Sequence, residues 1–460
     1  MGEPIGTLDR ATAATSGPAE RTAHHEARLR ERIATRRARV GIIGLGDAGL
    51  PLAVAFAGAG FPVVGVDLRP DRVAALRAGR SYVGDVADAR LAALVDAGRF
   101  AATADYDALA GVDAVTICVP TPLSKTKAPD ISAIVGAIEA LAPRLRPGQL
   151  VVLESTSYPG TTDEILRPAI EARGLAIGEE VFLAFAPERV NPGDAHFGTR
   201  NTPKLVGGAT PACRDLAVAL YQTIVETVVP VSSTMVAETA KLLENTFRAV
   251  NVALVNEVAL MCARLGIDVW EVIAAAATKP FGYMPFYPGP GLGGHCIPIV
   301  PQYLAWKLKT LGYEARFIAL ADEVNSAMPA HVAGLVADAL NDEAKPVKGS
   351  RVVVLGMAYK PDVADTRESP SVEVLSLLLA KGADAVYHDP HVPALELGDG
   401  RAVESVALDE AALAGSDCVV IASDHRGYDW AWVARHARLI VDTRNATAGL
   451  PDPAARIVKL

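Results

Sequence analysis

The chain of 460 residues carries 44 Lys+Arg against 53 Asp+Glu, a formal net charge of −9, and half of its residues are hydrophobic. That length predicts about three domains, and the composition excludes a disordered or collagen-like chain. The acidic balance excludes a generally basic nucleic-acid binder, because neutralising phosphates needs a cationic surface.

Residues 1–38 are rich in Ala, Thr and Arg and include the charged run HHEARLRERIATRRAR. They read as a mobile or loosely helical N-terminal extension, with a docking arm for a partner subunit as the alternative. From Val40 the run VGIIGLG predicts a buried strand, DAGLPLAVAFAGAG a helix, and FPVVGVD a second strand. Such a βαβ unit implies a parallel sheet. Further strands are expected in AVTICVP (114–120), LVVLEST (150–156) and VFLAFAP (181–187). Each ends in polar, Gly or Pro residues, where an open α/β sheet has its ligand-binding edge. These elements make a first domain over 39–230. From about Ser232 to Leu265 apolar residues recur every three or four positions without Gly or Pro. This predicts a long helix opening a central helical domain over 231–345. A Pro/Gly-rich loop at 280–298 precedes more helices, EAKPVKGS reads as a linker, and RVVVLGMAY restarts the pattern for a domain over 350–460. Strands follow in ADAVYHDP, CVVIASD and RLIVDTR. The expected fold class is α/β, two Rossmann-like doubly wound domains joined by a central helical domain with one long helix.

The strongest local signal for chemistry is Gly44-x-Gly46-x-x-Gly49 between a strand and a helix. Its glycines allow a tight turn, approach of a pyrophosphate and close helix packing, and the helix N-terminus attracts the phosphates. Asp67 ends the next strand, where an acid accepts hydrogen bonds from a ribose and repels a 2′-phosphate. NAD is therefore favoured over NADP, although Arg69 stands close by. Of the five cysteines, Cys118, Cys213, Cys262 and Cys418 read as packing thiols. Their number is odd and no C-x-x-C pair suggests zinc, so neither a disulfide scaffold nor a metal is expected. Cys296, in GPGLGGHCIP, lies in poor core material and is a candidate nucleophile. His295 either lowers its pKa or is structural. Lys241 and Asn245 share a helix face, with Glu238 one turn earlier. They form either a solvated, salt-bridged face or a buried pair polarising a reacting oxygen. Glu188, in APERV, is either a general base or an exposed strand-end carboxylate. No secretory signal or spanning helix is read, so a soluble cytoplasmic protein is expected.

Taken together, GIIGLGDAGLPLA, CVPTPL, ESTSYPGTT, PERVNPG, AETAKLLENTFRAVNVALVNE, PGPGLGGHCIP, MAYKPDVADTRESP and VDTRNA resemble the UDP-glucose/UDP-N-acetylsugar 6-dehydrogenase family. The likeness runs from about residue 38 to the C-terminus. It implies a Rossmann domain for NAD, a helical dimerisation middle, a Rossmann-like domain for UDP, and a homodimer. It also implies two successive NAD-dependent oxidations of a UDP-sugar at one site. Cys296 would capture the C6 aldehyde as a thiohemiacetal, and a second hydride transfer would give a thioester that water hydrolyses. Lys241 and Asn245 would stabilise the oxyanion, Glu188 would move a proton or activate water, and Ser157 would help hold that water. The resemblance places Thr121 and Arg367 at the cofactor, and Arg189, Lys204 and Arg444 at the substrate.

One position departs from the family, which usually has an Asp four residues after the cysteine; here it is Val300. That puts thioester hydrolysis in question and leaves a nucleotide-sugar binding paralogue as a rival. The loop TKPFGYMPFYPGPGLGGHCIPI is most similar to the subgroup acting on UDP-GlcNAc, ahead of UDP-ManNAc, UDP-GalNAc and UDP-glucose. β-Hydroxyacid dehydrogenases share the glycine fingerprint and a Lys–Asn helix, but lack a catalytic Cys and a second α/β domain.

Overall fold

The computed structural model describes residues 18–124, 127–191, 196–295, 297–451 and 453–460, with 18–21 described in backbone only. The chain divides into two compact units, Met1–Leu242 and Leu243–Leu460. The division falls inside the helix Thr234–Leu265.

In the first unit the apolar runs become strands of one sheet, and the central ones, first, fourth, fifth and sixth in chain order, are buried on both faces, as a helix-covered parallel sheet requires. They are β1 (Val40–Ile43), β2 (Val63–Val66), β3 (Phe100–Thr103), β4 (Ala114–Ile117), β5 (Gln149–Leu153), β6 (Val181–Phe185), β7 (Lys204–Gly208) and β8 (Val228–Val231). Their order is β3-β2-β1-β4-β5-β6-β7-β8. The first six strands follow the doubly wound order, with its switch point between β1 and β4. Register pairs Val40 with Val63 on one side and with Ala114 on the other. β6 and β7 run antiparallel. Successive residues of β1 feed opposite layers. Val40 and Ile42 pack with Phe56, Phe182 and Leu216, while Ile43 packs with Ile117, Val151 and Phe185.

The N-terminal extension expected to be mobile contains a helix, Pro18–Ala34, while residues 1–17 lie outside the described residues. Leu29 and Ile33, one turn apart, are buried in the same core as Leu216 and Leu220. Arg32 donates to the buried Asp113 at 2.8 Å. Two apolar residues in a charged run are a faint signal, yet they suffice to seat one helical face.

The second unit holds β9 (Arg351–Leu355), β10 (Asp384–His388), an antiparallel pair β11 (Ala394–Glu396) and β12 (Ala402–Glu404), then β13 (Cys418–Ile421), β14 (Leu439–Asp442) and β15 (Arg456–Lys459). Its parallel sheet runs β10-β9-β13-β14-β15. The helix Arg316–Asp342 sends Met328, Val332, Val336 and Leu340 into the core shared with Val352, Val354 and Leu375. The helix thus shares its core with the sheet that follows it.

The second sheet repeats the turn of the first. Gly44 after β1 and Gly356 after β9 both have φ +87°, and a Cβ would lie 2.4 Å from the Cys118 carbonyl oxygen and 2.6 Å from that of Ser423. Both turns therefore require glycine.

By length and composition Thr234–Leu265 is apolar enough to cross a membrane, with an 18-residue stretch of mean hydropathy 1.3, whereas the sequence alone suggests no spanning helix. Its buried Glu238 and Asn256 have hydrogen-bond partners within the protein, as expected of a domain helix.

Candidate active site

The glycine fingerprint divides by packing. A Cβ at Gly49 would sit 1.9 Å from the Gly44 carbonyl oxygen, so Gly49 serves helix–strand contact. At Gly46 a Cβ would meet only Arg72 Nη1, at 3.9 Å, so this turn has open space where a pyrophosphate would lie. The helix Gly49–Gly58 begins directly behind it. Asp67, at the end of β2, accepts the Leu45 N–H at 3.0 Å and the Arg69 N–H at 3.0 Å, which fixes its carboxylate beside the turn. Arg72 approaches Asp67 at 3.4 Å, whereas Arg69 pairs with Asp71. Thr121, just past β4, donates its hydroxyl to the Thr156 carbonyl at 2.7 Å and ties together the loops beyond β4 and β5. These groups fit a dinucleotide held by its pyrophosphate and ribose.

Further along the same sheet edge lies a charged cluster. Lys204, the first residue of β7, is buried with its Nζ 2.9 Å from Glu154 Oε2 and 3.4 Å from Glu188 Oε2. Tyr221 donates its phenol to Glu154, and its ring lies 5.3 Å from the Lys204 ammonium. Glu188 accepts the Arg189 and Val190 N–H groups, each at 2.7 Å. Burial opposes its charge, but the Lys204 ammonium, these amides and Lys241 hold it below the ordinary carboxylate value. Burial pushes Glu154 up in spite of Lys204. Lys204 itself is lowered by burial, yet the two carboxylates outweigh that and raise it. Lys204, expected at the substrate, is thus committed to two carboxylates, because β7 carries its side chain inward. Arg189 donates to the Pro203 carbonyl at 2.6 Å, close to the same strand.

The helix face bearing Lys241 is buried and not a solvated ion-pair surface. Lys241 is 8% exposed and Glu238 1% exposed. Glu238 accepts from Gly160 N at 2.6 Å, Thr162 N at 2.9 Å and Thr162 Oγ1 at 2.6 Å, which pins the helix to the loop beyond β5. Ser157, in that loop, is buried and its Oγ has no hydrogen-bond partner among the described residues. The same holds for the buried Asn245 Nδ2, one turn beyond Lys241.

Cys296 lies outside the described residues. Its neighbours belong to the second unit, where the loop is tightly seated. A Cβ at Gly294, whose φ is +93°, would come within 2.8 Å of the Tyr359 ring. The Gly294 N–H bonds the Arg367 carbonyl at 3.0 Å, and the Gly289 N–H bonds Asn256 Oδ1 at 3.0 Å. Asn256 in turn donates to Asn325 Oδ1 at 3.0 Å. These glycines therefore serve close backbone packing. The Arg367 guanidinium is half exposed and pairs with Asp365 at 2.6 Å. Arg444 donates to the Ala422 carbonyl at 3.0 Å, and burial lowers its pKa. A cavity of about 480 Å³ in this unit is lined by Ile297, Pro298, Asp322, Asn325 and Glu368, among others. Val300 is buried at the start of the helix Val300–Thr310.

Among the described residues one group has the makings of a metal site, Asp362, His391 and His425. The His425 ring already spends Nδ1 on the Asp362 N–H at 2.8 Å and Nε2 on Asp389 at 3.0 Å, so it has no lone pair to offer.

The sequence reading missed Glu154 and Tyr221. The signal for Glu154 was a charge closing the continuous apolar run LVVLE; Tyr221 had none.

Three family models match the chain in order: the NAD binding domain of the UDP-glucose/GDP-mannose dehydrogenase family over residues 38–225, its central domain over 235–327, and its UDP binding domain over 353–449. The chain belongs to the UDP-glucose/GDP-mannose dehydrogenase family. It is 34% identical over 413 residues to the UDP-N-acetyl-D-mannosamine dehydrogenase of Pyrococcus horikoshii, covering 88% of this chain and 95% of that one. It is 36% identical over 358 residues to the UDP-N-acetyl-D-glucosamine 6-dehydrogenase of Pseudomonas aeruginosa, covering 77% and 83%. A solved UDP-D-ManNAc dehydrogenase from Pyrococcus horikoshii superposes with a TM-score of 0.83 at 33% identity, covering 92% of this chain and 98% of that one. The enzyme is an NAD-dependent UDP-sugar dehydrogenase.

Proposed function

We propose that this dehydrogenase oxidises the C6 alcohol of a UDP-N-acetylhexosamine, UDP-GlcNAc ahead of UDP-ManNAc or UDP-GalNAc, to the uronic acid in two steps at one site. Two buried polar atoms without protein partners among the described residues carry the reading: Asn245 Nδ2, a donor suited to an oxyanion, and Ser157 Oγ, suited to a water. Bound NAD supplies the hydride acceptor. The Cys296 thiolate adds to the C6 aldehyde, which keeps that intermediate from escaping between oxidations. After the second oxidation water attacks the thioester carbonyl, Glu188 takes the water proton, the C–S bond breaks, and the thiolate is released. Lys241 and Asn245 stabilise the oxygen that gains charge. The relatives named for UDP-N-acetylhexosamines and the loop preceding Cys296 support the substrate class. The test is a UDP-sugar panel followed by NADH absorbance, in which the best substrate releases about two NADH per sugar. Retained two-step turnover in Cys296→Ser refutes the covalent route.

A homodimer is part of the proposal. Leu243, Phe247, Leu254, Met261 and Leu265 stand 47–72% exposed on the long helix. Their spacings of four and seven residues align them in one stripe, the pattern with which a helix seats another helix. A second copy of this chain is the partner that fits.

Val300 favours a second reading, a nucleotide-sugar binder that does not complete the oxidation. Thermal stabilisation by UDP-sugar with no NADH formed would support it. A rate gain in Val300→Asp would show that this position limits turnover.

A further inference from the structure

We infer that Lys204 is a positioning residue for the reaction: braced from behind by Glu154 and Tyr221, it is a fixed buried cation that keeps Glu188 an oriented carboxylate. The inference rests on the proposed role of Glu188 as acceptor of the water proton. The residues come from four separate elements. Glu154 follows β5, Glu188 follows β6, Lys204 opens β7, and Tyr221 ends the helix Pro211–Tyr221. No local motif joins them, yet all converge on one ammonium.

The geometry separates support from reach. The Lys204 side chain is 6% exposed and that of Glu154 1%, while the Glu188 side chain is 22% exposed. Only the last faces outward, and the other two form its floor. One Glu188 oxygen, Oε1, accepts two backbone N–H groups, and the other, Oε2, lies 3.4 Å from Lys204. Both oxygens are thereby oriented. The cation would be costly to bury alone, and Glu154 at 2.9 Å offsets that cost. The Tyr221 phenol in turn satisfies the second oxygen of Glu154.

Two other titratable groups near Glu188 come from neighbouring elements. Lys241 on the long helix adds positive field. Cys118 beyond β4 is a neutral thiol pushed up by burial. Lys204 is the one cation among these within ion-pair distance of Glu188. Glu188 consequently stays ionised and ready to accept a proton. When it does so, the ammonium remains paired with Glu154, and no buried charge is stranded.

Because Lys204 reaches no solvent-facing ligand position, its loss is expected to spare KM for the UDP-sugar and to act on proton transfer. The readout is uronic-acid release from the acyl-enzyme in a single turnover, measured against pH. Lys204→Met should move the acid limb of that rate up by about 1–2 pH units. Lys204→Arg should keep the limb low, and Lys204→Met/Glu188→Gln should have no such limb. Lys204→Met/Glu154→Gln, which leaves no unpaired buried carboxylate at position 154, should show the same raised limb if the single variant fails to fold. A limb that stays in place in the folded Met variants, while Glu188→Gln slows release, overturns the role of Lys204 alone. Release in Glu188→Gln at the parent rate overturns the reading of Glu188 on which it rests. A rise in KM with an unchanged limb would return Lys204 to substrate contact and refute the inference.

Discussion

Asp389 offers a quantitative test of how the second unit is held. It directly follows β10 with its side chain fully buried, and Oδ2 accepts from Met357 N at 2.6 Å, Ala358 N at 3.0 Å and His425 Nε2 at 3.0 Å. Oδ1 accepts from His391 N at 2.8 Å and Val392 N at 3.1 Å. Burial opposes ionisation, but His425 and the backbone donors prevail and hold the carboxyl at about 2, against an ordinary 3.8. Since the folded value is depressed, the stabilisation is complete above pH 3.8 and is lost as pH falls toward about 2. Its size is about 2 kcal/mol. Asp389→Asn is more severe, because whichever oxygen becomes an amide turns a donor toward at least two buried N–H groups. At roughly 1.5–3 kcal/mol for each hydrogen bond to a charged acceptor, the substitution should cost about 3–5 kcal/mol. All four tryptophans, Trp270, Trp306, Trp430 and Trp432, belong to the second unit, so their fluorescence in urea reports its unfolding selectively. The variant should unfold at lower urea and lose the share of the acid-dependent slope that Asp389 contributes beside Asp362, Asp365 and Asp417. A shift below about 0.5 kcal/mol with the slope intact would refute the reasoning.

Three further predictions follow from the first unit and the long helix. Gly46→Ala should fold as the parent does and weaken NAD binding, whereas Gly49→Ala, with its Cβ 1.9 Å from a carbonyl oxygen, should lower Tm; equal Tm losses would show that Gly46 is structural. Glu238→Ala leaves three buried donors without an acceptor and should cost about 3–5 kcal/mol, measured by calorimetry; a loss under about 1 kcal/mol would mean that water replaces the carboxylate. Leu254→Glu, in the exposed apolar stripe, should convert the proposed dimer to a monomer by light scattering, and an unchanged mass would refute the stripe as the contact.

What could be read from the sequence depended on how local the physics is. The glycine turn and Asp67 were legible because a strand, a tight turn and a helix N-terminus are adjacent in the chain. Lys241 and Asn245 were legible as a pair because helical spacing alone aligns them. Whether their face was solvated was not legible, since that depended on Glu238 finding donors at 160 and 162. The partnership of Lys204 with Glu154 and Glu188 was hidden for the same reason: strand order, and not spacing, brings β5, β6 and β7 together. The short strands β11, β12 and β15 carry burial patterns too mixed to stand out. The Pro18–Ala34 helix was obscured because only Leu29 and Ile33 anchor it.

The repeated turn shows how one backbone device acquires two uses. In both sheets a glycine at φ +87° is followed by N–H groups that bond a carboxylate ending the neighbouring strand. Asp67 receives two backbone N–H groups and stands beside open space at Gly46. A carboxylate has about four lone-pair sites, so capacity remains for ribose hydroxyls. Asp389 receives four backbone N–H groups and an imidazole, which uses that capacity on the protein itself. The second sheet can therefore keep the doubly wound geometry without offering the ribose acceptor of the first. The matched UDP binding domain must hold its nucleotide through groups other than this carboxylate. Loss of Asp389 should accordingly appear as instability of the second unit and not as a loss of ribose recognition.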